Sequence, residues 1–146
     1  MMALYGEKAY DFVPKTFSYP LEIDSLKKDM KKRPNQYWIF KPCASSQGRG
    51  IFVTNSLEDI PQKHNYVVSE YISRPLLING LKFDLRIYVA ITSVNPLRIY
   101  VYDEGLARFA TEKYDDGFRN IKNVFSHLTN YSINKKNIER FVRPES

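Results

Sequence analysis

Three charged side chains alternate along the stretch LKFDLRIYV, at Lys82, Asp84 and Arg86. In an extended strand, alternate side chains share one face and lie about 7 Å apart, so these residues would form a row of cation, anion and cation. A solvated surface with weak ion pairs often has such a row. The row also suits a phosphate or carboxylate ligand, especially with Arg108 on a later predicted strand, because a guanidinium donates two hydrogen bonds to either group.

The neighbours of this row favour a binding site over an open surface. Tyr88 and Ala90 continue the same face, and we expect the next predicted strand to place Arg98, Tyr100 and Tyr102 opposite it. The other face carries apolar side chains, namely Phe83, Leu85, Ile87, Val89 and Ile91. The pattern predicts the floor of a cleft that binds an anion.

A second signal is the loop KPCASSQGRG, which begins at Lys41. Gly48 and Gly50 allow backbone N–H groups to converge on a ligand, and Lys41 and Arg49 add the positive charge that phosphate-binding loops use. No glycine in the loop is followed by lysine, so it is not a Walker A loop, and Val53 occupies the third glycine position of a dinucleotide fingerprint. GRG alone is more typical of a hairpin turn; together with KFDLR it favours a phosphate site.

Other chemistries have little support in the sequence. His64 and His127 lie far apart without the HExxH spacing, and a single cysteine excludes an internal disulfide and a cysteine zinc set. The G-x-S-x-G nucleophile motif does not occur. We interpret Cys43 as a small core residue and His127 as a packing or hydrogen-bonding histidine rather than a catalytic base.

The elements that must position these residues predict an α+β fold with two small, mainly antiparallel sheets. The predicted strands are YWIFK (37–41), IFVT (51–54), NYVVSEYI (65–72), LKFDLRIYVAIT (81–92), LRIYVY (97–102) and LARFAT (106–111). The short turns SVNP and DEG join the last three into a predicted antiparallel meander. The residues after this meander, beginning EKYDDGFRN, are expected to mix loop with some helix.

Before the first of these sheets, LEIDSLKKDMKKR predicts a helix with Leu21, Leu26 and Met30 on its apolar stripe and Pro34 ending it. Ser56 is expected to cap a short helical turn in SLEDIP.

Composition indicates a folded chain with an acidic partner. The 146 residues are 43% apolar and 26% charged, with a formal net charge of +6. That charge suits nucleic acid, a membrane surface, an acidic protein or a nucleotide. No apolar run is long enough to cross a membrane, the start MMALYGEKAY does not resemble a signal peptide, and a single cysteine fits a reducing compartment.

In order, the motifs resemble those of the tubulin–tyrosine ligase-like family, ATP-grasp enzymes that join amino acids to tubulin, and are most similar to its polyglutamylase branch. They are WIFKP, SSQGRGI, VVSEYI, KFDLRIYV, LARFAT and HLTNYSIN, and the resemblance runs from about residue 12 to about residue 137. Each motif alone is weak, whereas the ordered set is specific.

The resemblance implies one incomplete ATP-grasp domain over residues 1–146, with a nucleotide cleft between its two sheets. Its parts would be an N-terminal segment and helix (1–36), a phosphate-loop lobe with a hinge (37–72), and a central sheet with a substrate segment (81–137).

ATP and Mg²⁺ are the cofactors that the resemblance implies. The residues expected to hold ATP are Lys41 at the phosphates, Gln47, Gly48, Arg49 and Gly50 in the loop over them, Ser69, Glu70, Tyr71 and Ile72 at the adenine hinge, and Lys82 and Asp84 at adenine and ribose. Position 47 resembles a site that varies between Gln and Arg among polyglutamylases, and a neutral Gln47 would fit lengthening of a glutamate chain.

Further roles follow from the same resemblance. Arg86 and Arg108 would face the transferring phosphate and the carboxylate of the added amino acid. Thr129 and Asn130 would contact phosphate and metal, with Tyr131 and Ser132 near the incoming glutamate.

The implied reaction adds L-glutamate to glutamate side chains of tubulin tails through an acylphosphate. Tubulin and microtubules would be the partners, in the cytoplasm and cytoskeleton, with a cilium or basal body as a further expected location. Glycine or tyrosine ligation by the same family is an alternative.

One departure from the family pattern concerns the metal. The family places an Asp and a Glu-x-Asn downstream of HLTNY to hold Mg²⁺, but only Glu139 and Glu145 follow Asn130 as acids here. Since Mg²⁺ needs carboxylates beside the phosphates, we expect a truncated chain that cannot turn over, with Asn130 as its possible metal ligand.

Two interpretations from other classes stay open. A basic nucleic-acid-binding module would expose aromatic residues among Lys and Arg on one sheet face. We expect Tyr and Phe to lie mainly on the apolar side of the strands instead, and therefore no nucleic-acid partner. A membrane partner is not expected either, because no apolar run is long enough to cross a bilayer. A non-catalytic remnant that binds a partner is the second interpretation.

Overall fold

The structure is a computed structural model that describes residues 2–62, 64–115, 121–137 and 139–140. It contains two compact units, Met1–Arg74 and Pro75–Ser146. The boundary falls between the predicted hinge and the predicted central sheet. Residues 116–120 of the predicted loop-and-helix segment, and Glu145, lie outside the described residues.

The first unit is a four-stranded antiparallel sheet with one long helix. Its elements are α1 (Met2–Tyr5), a 3₁₀ helix (Glu7–Tyr10), β1 (Thr16–Tyr19), α2 (Ile23–Lys32), β2 (Trp38–Pro42), β3 (Phe52–Thr54) and β4 (Tyr66–Glu70). The strand order is β1-β4-β2-β3. The strands predicted at 37–41, 51–54 and 65–72 are therefore confirmed, each with slightly different bounds.

Alternation of side chains places the core on one face of this sheet. The buried cluster contains Phe17, Tyr19, Leu26, Met30, Trp38, Phe40, Tyr66 and Val68. Phe40 stacks on Phe52 with ring centroids 4.7 Å apart, while Lys41 lies on the exposed side. Because aromatic rings bury large apolar areas, this cluster anchors the loop between β2 and β3.

The apolar stripe of α2 is only partly as predicted. Leu26 and Met30 are buried, but Leu21 is 88% exposed. The helix begins at Ile23, so Leu21 precedes it and does not share its periodicity. Ile23, three residues before Leu26, packs against the core instead.

Two smaller predictions in the first unit had different outcomes. Residues 57–59 form a turn rather than a helix, although Ser56 Oγ does accept a hydrogen bond from the Glu58 N–H at 3.2 Å. Cys43 is exposed, so its interpretation as a core residue is wrong. It lies just past the end of β2, where the chain leaves the sheet, and its backbone N–H donates to the Asn65 carbonyl at 3.0 Å.

The second unit has a three-stranded sheet, a separate two-stranded ribbon and two short helices. The elements are β5 (Leu77–Ile78), β6 (Leu81–Arg86), β7 (Val89–Val94), β8 (Leu97–Val101), β9 (Leu106–Lys113), α3 (Val124–His127) and α4 (Tyr131–Asn134). The sheet order is β5-β6-β9, and β7 pairs with β8.

The prediction of one unbroken strand over 81–92 is wrong, and only the first hairpin of the predicted meander, through SVNP, is present. The strand divides at Ile87 and Tyr88, and β9 pairs with β6, not with β8. The ladder of β6 ends where Arg86 faces Leu106. Here Gly105 packs against the Arg86 carbonyl so closely that a Cβ atom would lie 2.7 Å from the oxygen.

This division changes what faces β6. Tyr100 lies opposite Ala90, as predicted, and Arg98 lies opposite Ser93. Both belong to the β7–β8 ribbon, so β8 does not pair with β6, which carries Lys82, Asp84 and Arg86. Tyr88, Tyr100 and Tyr102 are all exposed, against the expectation that Tyr would lie mainly on the apolar side. Among the described residues, no layer of the second unit covers either face of the β7–β8 ribbon.

Within the residues that the structure describes, no helix has the length and apolar character needed to cross a membrane.

Candidate functional site

A bidentate ion pair joins β6 to β9 in the second unit. Asp84 and Arg108 lie directly opposite each other in the antiparallel register. Arg108 Nε donates to Asp84 Oδ1 and Arg108 Nη2 donates to Asp84 Oδ2, both at 2.7 Å. The planar guanidinium thus holds the carboxylate in a bidentate pair, the geometry that most strongly fixes both side chains.

The segment around residue 128 closes over this pair. Thr129 Oγ1 donates to Asp84 Oδ2 at 2.5 Å, and Lys82 Nζ donates to the His127 carbonyl at 3.0 Å. Lys82 and Asp84 therefore point to the same face of β6, as their alternation predicted. On the other face of β6, the Phe83 ring stacks on the Phe109 ring, with centroids 5.7 Å apart.

Lys82, Asp84, Arg108 and Thr129 form one polar cluster, in which the charges of Asp84 and Arg108 stabilise each other. Burial acts to raise the pKa of Asp84, but hydrogen bonds from Arg108 and Thr129 and the nearby guanidinium charges outweigh it, so the pKa lies below its ordinary value. The same pair raises the pKa of Arg108. Asp84 is therefore an ionised hydrogen-bond acceptor at neutral pH, unsuited to act as an acid or base.

His127 is a packing residue, as its sequence context predicted. Its ring is buried and meets the Tyr114 ring edge-on, with centroids 5.1 Å apart. Burial and the neighbouring Lys82 charge lower the pKa of His127. A neutral imidazole at this position adds no charge next to the Lys82 ammonium.

The other predicted site residues of the second unit are Arg86, Asn130, Tyr131 and Ser132. Arg86 is exposed, and its guanidinium donates to no other described residue. Ser132 is half-buried in α4, while Tyr131 is exposed beside Lys135, whose Nζ lies 5.5 Å from the ring centroid. The side chain of Asn130 makes no hydrogen bond within the described part of the chain.

A cavity of about 500 Å³ runs along β9 beside this cluster. Arg108, Thr129 and Tyr131 line it together with apolar side chains that include Leu106 and Phe109. A mostly apolar hollow with a few polar groups is the usual form of a small-molecule site.

In the first unit, the predicted phosphate loop has the backbone that its glycines allow. Gln47, Gly48 and Gly50 all have positive φ, at 60°, 79° and 72°. Ser45 Oγ and the Arg49 N–H close the loop through hydrogen bonds to the Arg49 and Ser46 carbonyls, at 2.9 and 3.2 Å. The N–H groups of Gly48 and Gly50 donate to no described residue, so they are available to an anion.

The loop also surrounds a hollow of about 530 Å³, whose lining includes Ser45, Arg49 and Gly50. Lys41 and Arg49 are both exposed. The loop therefore presents positive charge and backbone donors together, as a phosphate site requires.

Two backbone N–H groups of the predicted hinge, Ser69 to Ile72, are already hydrogen-bonded within the first unit. The Glu70 and Tyr71 N–H groups donate to the Lys15 and Tyr37 carbonyls, at 2.9 and 2.8 Å. The Glu70 carboxylate is paired with Arg33.

The flanking residues of the hinge differ from these two. Ser69 Oγ bonds to Thr16 Oγ1 at 3.0 Å. Ile72 is exposed, and its N–H donates to no described residue, so it is the free backbone donor of this segment.

The described residues do not build a Mg²⁺ site. They contain no group of three or more His, Cys, Asp or Glu side chains that could share a metal. Asp84 is already bound by Arg108 and Thr129. Mg²⁺ prefers carboxylates and octahedral oxygen ligands, so the Asn130 amide alone does not suffice.

Two residues that position the cluster were missed from the sequence. Buried Asn134 bonds to Thr111, Leu128 and Asn130, and Gly105 lets the backbone approach Arg86. Neither has a sequence signal, because their roles depend on which strand pairs with β6.

Comparison with known proteins gives a consistent result. A sequence model described as the tubulin-tyrosine ligase family matches residues 1–143. The chain is 50% identical over 136 residues to human tubulin polyglutamylase TTLL5, covering 93% of this chain and 10% of that protein. It is 52% identical over 131 residues to a probable beta-tubulin polyglutamylase of Tetrahymena thermophila (88% and 11%) and 45% identical over 139 residues to mouse tubulin monoglutamylase TTLL4 (95% and 12%).

The chain thus spans about a tenth of the length of these curated relatives.

Proposed function

The chain belongs to the tubulin-tyrosine ligase family, and from that membership we propose that it forms the nucleotide-binding part of an ATP-dependent ligase that adds glutamate to tubulin. The observation that carries the proposal is the sequence identity to a tubulin polyglutamylase and to a probable beta-tubulin polyglutamylase. This identity is 50% over 93% of the chain for the first protein and 52% over 88% of the chain for the second. The ATP-grasp fold and its nucleotide cleft remain predictions.

Each unit contributes its own candidate nucleotide-binding residues. In the first unit, Lys41 and the loop from Gln47 to Gly50 are assigned to phosphate, supported by the free N–H groups and the exposed cations. Ile72 is assigned to adenine through its backbone N–H, because the Glu70 and Tyr71 N–H groups are already bonded. Ser69 to Tyr71 then act by holding Ile72 in place.

In the second unit, Lys82 and Asp84 are assigned to adenine and ribose. Thr129 and Asn130 follow on the adjoining segment and are assigned to phosphate. The support is that Lys82 and Thr129 both bond within this one cluster, so the segment from His127 to Thr129 and β6 present a single polar surface.

ATP would supply the phosphoryl group that turns a side-chain carboxylate of the tubulin tail into an acylphosphate. The amine of the added glutamate then attacks that carbonyl, an isopeptide bond forms, and phosphate leaves. The chain's contribution is to fix cations where negative charge develops, so no protein nucleophile is needed.

The two arginines are assigned different parts of this work, in the order that the sequence predicted. Arg108 has Nε and Nη2 committed to Asp84, so it offers a ligand mainly its Nη1 side. Arg86 is exposed, and its guanidinium N–H groups donate to no other described residue. We assign the transferring phosphate to Arg86, and the carboxylate of the added glutamate to Arg108 with Tyr131 and Ser132 nearby, because Arg108 and Tyr131 line one cavity.

Mg²⁺ is not assigned to a complete site in this chain, since the described residues lack the carboxylates. Asn130 remains a proposed ligand.

The proposed partners are tubulin and microtubules, which places the protein at the cytoskeleton. Support comes from the names of the relatives and from the net charge of +6, which suits an acidic tail. Glycine or tyrosine as the added residue, from the same family, is tested by supplying each labelled amino acid in turn.

The proposal is tested by titrating ATP against wild type, Lys82→Ala and the control Lys113→Ala, an exposed lysine at the end of β9. We expect Lys82→Ala to lose about tenfold or more in affinity, as for a charged hydrogen bond. Lys113→Ala should bind as wild type. Equal affinity of all three, or none in a folded wild type, would contradict the proposal. RNA binding with a steep salt slope and no response to Lys82→Ala would favour the nucleic-acid module instead.

A further inference from the structure

One buried side chain, Asn134, connects β9 to the segment that carries Thr129. Only 1% of Asn134 is exposed. Its Oδ1 accepts from the Thr111 N–H and hydroxyl, both at 2.9 Å, and its Nδ2 donates to the carbonyls of Leu128 at 2.8 Å and Asn130 at 3.1 Å. Every donor and acceptor position of the carboxamide is therefore used.

The two carbonyls that Asn134 holds belong to the residues on either side of Thr129. Holding both neighbours fixes the backbone between them, and with it the direction of the Thr129 hydroxyl, which donates to Asp84. The Asn130 carbonyl also accepts from the Ile133 and Asn134 N–H groups, at 3.0 Å each. The bond to Leu128 is thus the contact that depends most on the Asn134 side chain.

We propose that Asn134 is a positioning residue for the candidate nucleotide site: it holds Thr129 in the orientation that completes the Asp84–Arg108 pair. Its effect on ligand binding rests on the proposed function, whereas its effect on Asp84 does not. Asn134 acts through Thr129, because the hydrogen-bonding positions of its own side chain are used within the chain.

A matched comparator lies three residues along the chain. Asn137 Nδ2 donates to Thr111 Oγ1 and Glu112 Oε1, both at 3.2 Å. It therefore shares a partner with Asn134, but among the described residues it bonds to neither carbonyl beside Thr129. Loss of Asn137 should disturb β9 without turning Thr129 away from Asp84.

The test follows the titration of the Asp84 carboxyl carbon by NMR in the full chain, with Asp84→Asn assigning the signal. We expect Asn134→Ala and Thr129→Val each to move the Asp84 titration to higher pH, because both remove the Thr129 hydrogen bond that favours the ionised form. The double variant should move it no further than either single one. Asn137→Ala should leave it unchanged.

The role is overturned if Asn134→Ala leaves the Asp84 titration at its wild-type pH, or shifts it no more than Asn137→Ala does. It is also overturned if the shift in the double variant equals the sum of the shifts caused by Asn134→Ala and Thr129→Val. Should Asn134→Ala not fold, Asn134→Leu keeps the side-chain volume and is expected to give the same upward shift.

ATP titration of the same variants separates this inference from the proposed function. Asn134→Ala and Thr129→Val should each weaken ATP binding by roughly three- to tenfold, the loss of about one hydrogen bond, without adding in the double variant. Absence of ATP binding in wild type would remove the proposed function, while the Asp84 titration would still decide the role of Asn134.

Discussion

Asp84 accepts hydrogen bonds from Arg108 through both carboxylate oxygens, and from Thr129 through one of them. An ionised carboxylate so held has little freedom to turn toward a metal or a proton donor. Its remaining lone pairs suit hydroxyl or amino groups, which is consistent with its proposed place beside ribose and adenine. The side chain is thus an acceptor fixed in advance of any ligand.

The pH dependence of stability should report this carboxylate. The pKa of Asp84 lies below its ordinary value of 3.8 in the folded chain, because the hydrogen bonds outweigh burial. The stability that it contributes is therefore present above pH 3.8 and lost as the pH falls through the lower folded-state pKa. We expect the difference in unfolding free energy between wild type and Asp84→Asn to shrink in strong acid, measured by urea titration.

Asp103→Asn, in the exposed turn after β8, provides the control and should show a small difference at every pH. A difference between wild type and Asp84→Asn that stays constant from neutral pH into strong acid would contradict the assignment.

At the scale of elements, the end of β6 depends on one close backbone approach. A Cβ atom at Gly105 would lie 2.7 Å from the Arg86 carbonyl oxygen. We expect Gly105→Ala to displace the end of β6 and cost about 1–3 kcal/mol of unfolding free energy. It should also weaken ATP binding through Arg86. Glu104→Ala, in the same exposed turn, should change neither.

Urea unfolding and ATP titration of both variants check this prediction. A Gly105→Ala chain as stable as wild type would show that the backbone can move away from Arg86 without cost.

The helix α2 offers a comparison of two leucines. Leu26 is fully buried against the sheet, whereas Leu21 is exposed and precedes the helix. We expect Leu26→Ala to lower the unfolding free energy by about 2–5 kcal/mol, since it removes apolar contacts and leaves a cavity. Leu21→Ala should stay within about 0.5 kcal/mol of wild type. Similar losses in the two variants, measured by urea unfolding, would place Leu21 in the core after all.

At the scale of the whole molecule, charge should govern the proposed association with tubulin. The chain has 22 Lys and Arg against 16 Asp and Glu. We expect a glutamate-rich peptide to bind more weakly as salt rises, since the screening length falls from about 10 Å at 0.1 M to about 3 Å at 1 M. A peptide with Gln in place of every Glu is the control and should bind weakly throughout; fluorescence anisotropy measures both. Equal binding of the two peptides would show that charge does not select the partner.

The sequence by itself determined what depends on local periodicity and local backbone freedom. Alternation placed Lys82 and Asp84 on one face of β6, and the glycines of the predicted phosphate loop have the positive φ that only glycine adopts readily. Three of the four strands of the first unit, predicted at 37–41, 51–54 and 65–72, followed from their runs of β-branched and aromatic residues. The ordered motifs identified the family, which the comparisons confirmed.

Only the tertiary structure decided which residues meet. The pairing of β6 with β9 brings Arg108 onto Asp84, and the division at Ile87 and Tyr88 carries Arg98 away from β6. Strand partners and register are non-local: a hydrophobic pattern of period two fits several pairings equally well. Asn134 gained its role in the same way, since the carbonyls that it holds and the strand edge that it satisfies are brought together only by the folded chain.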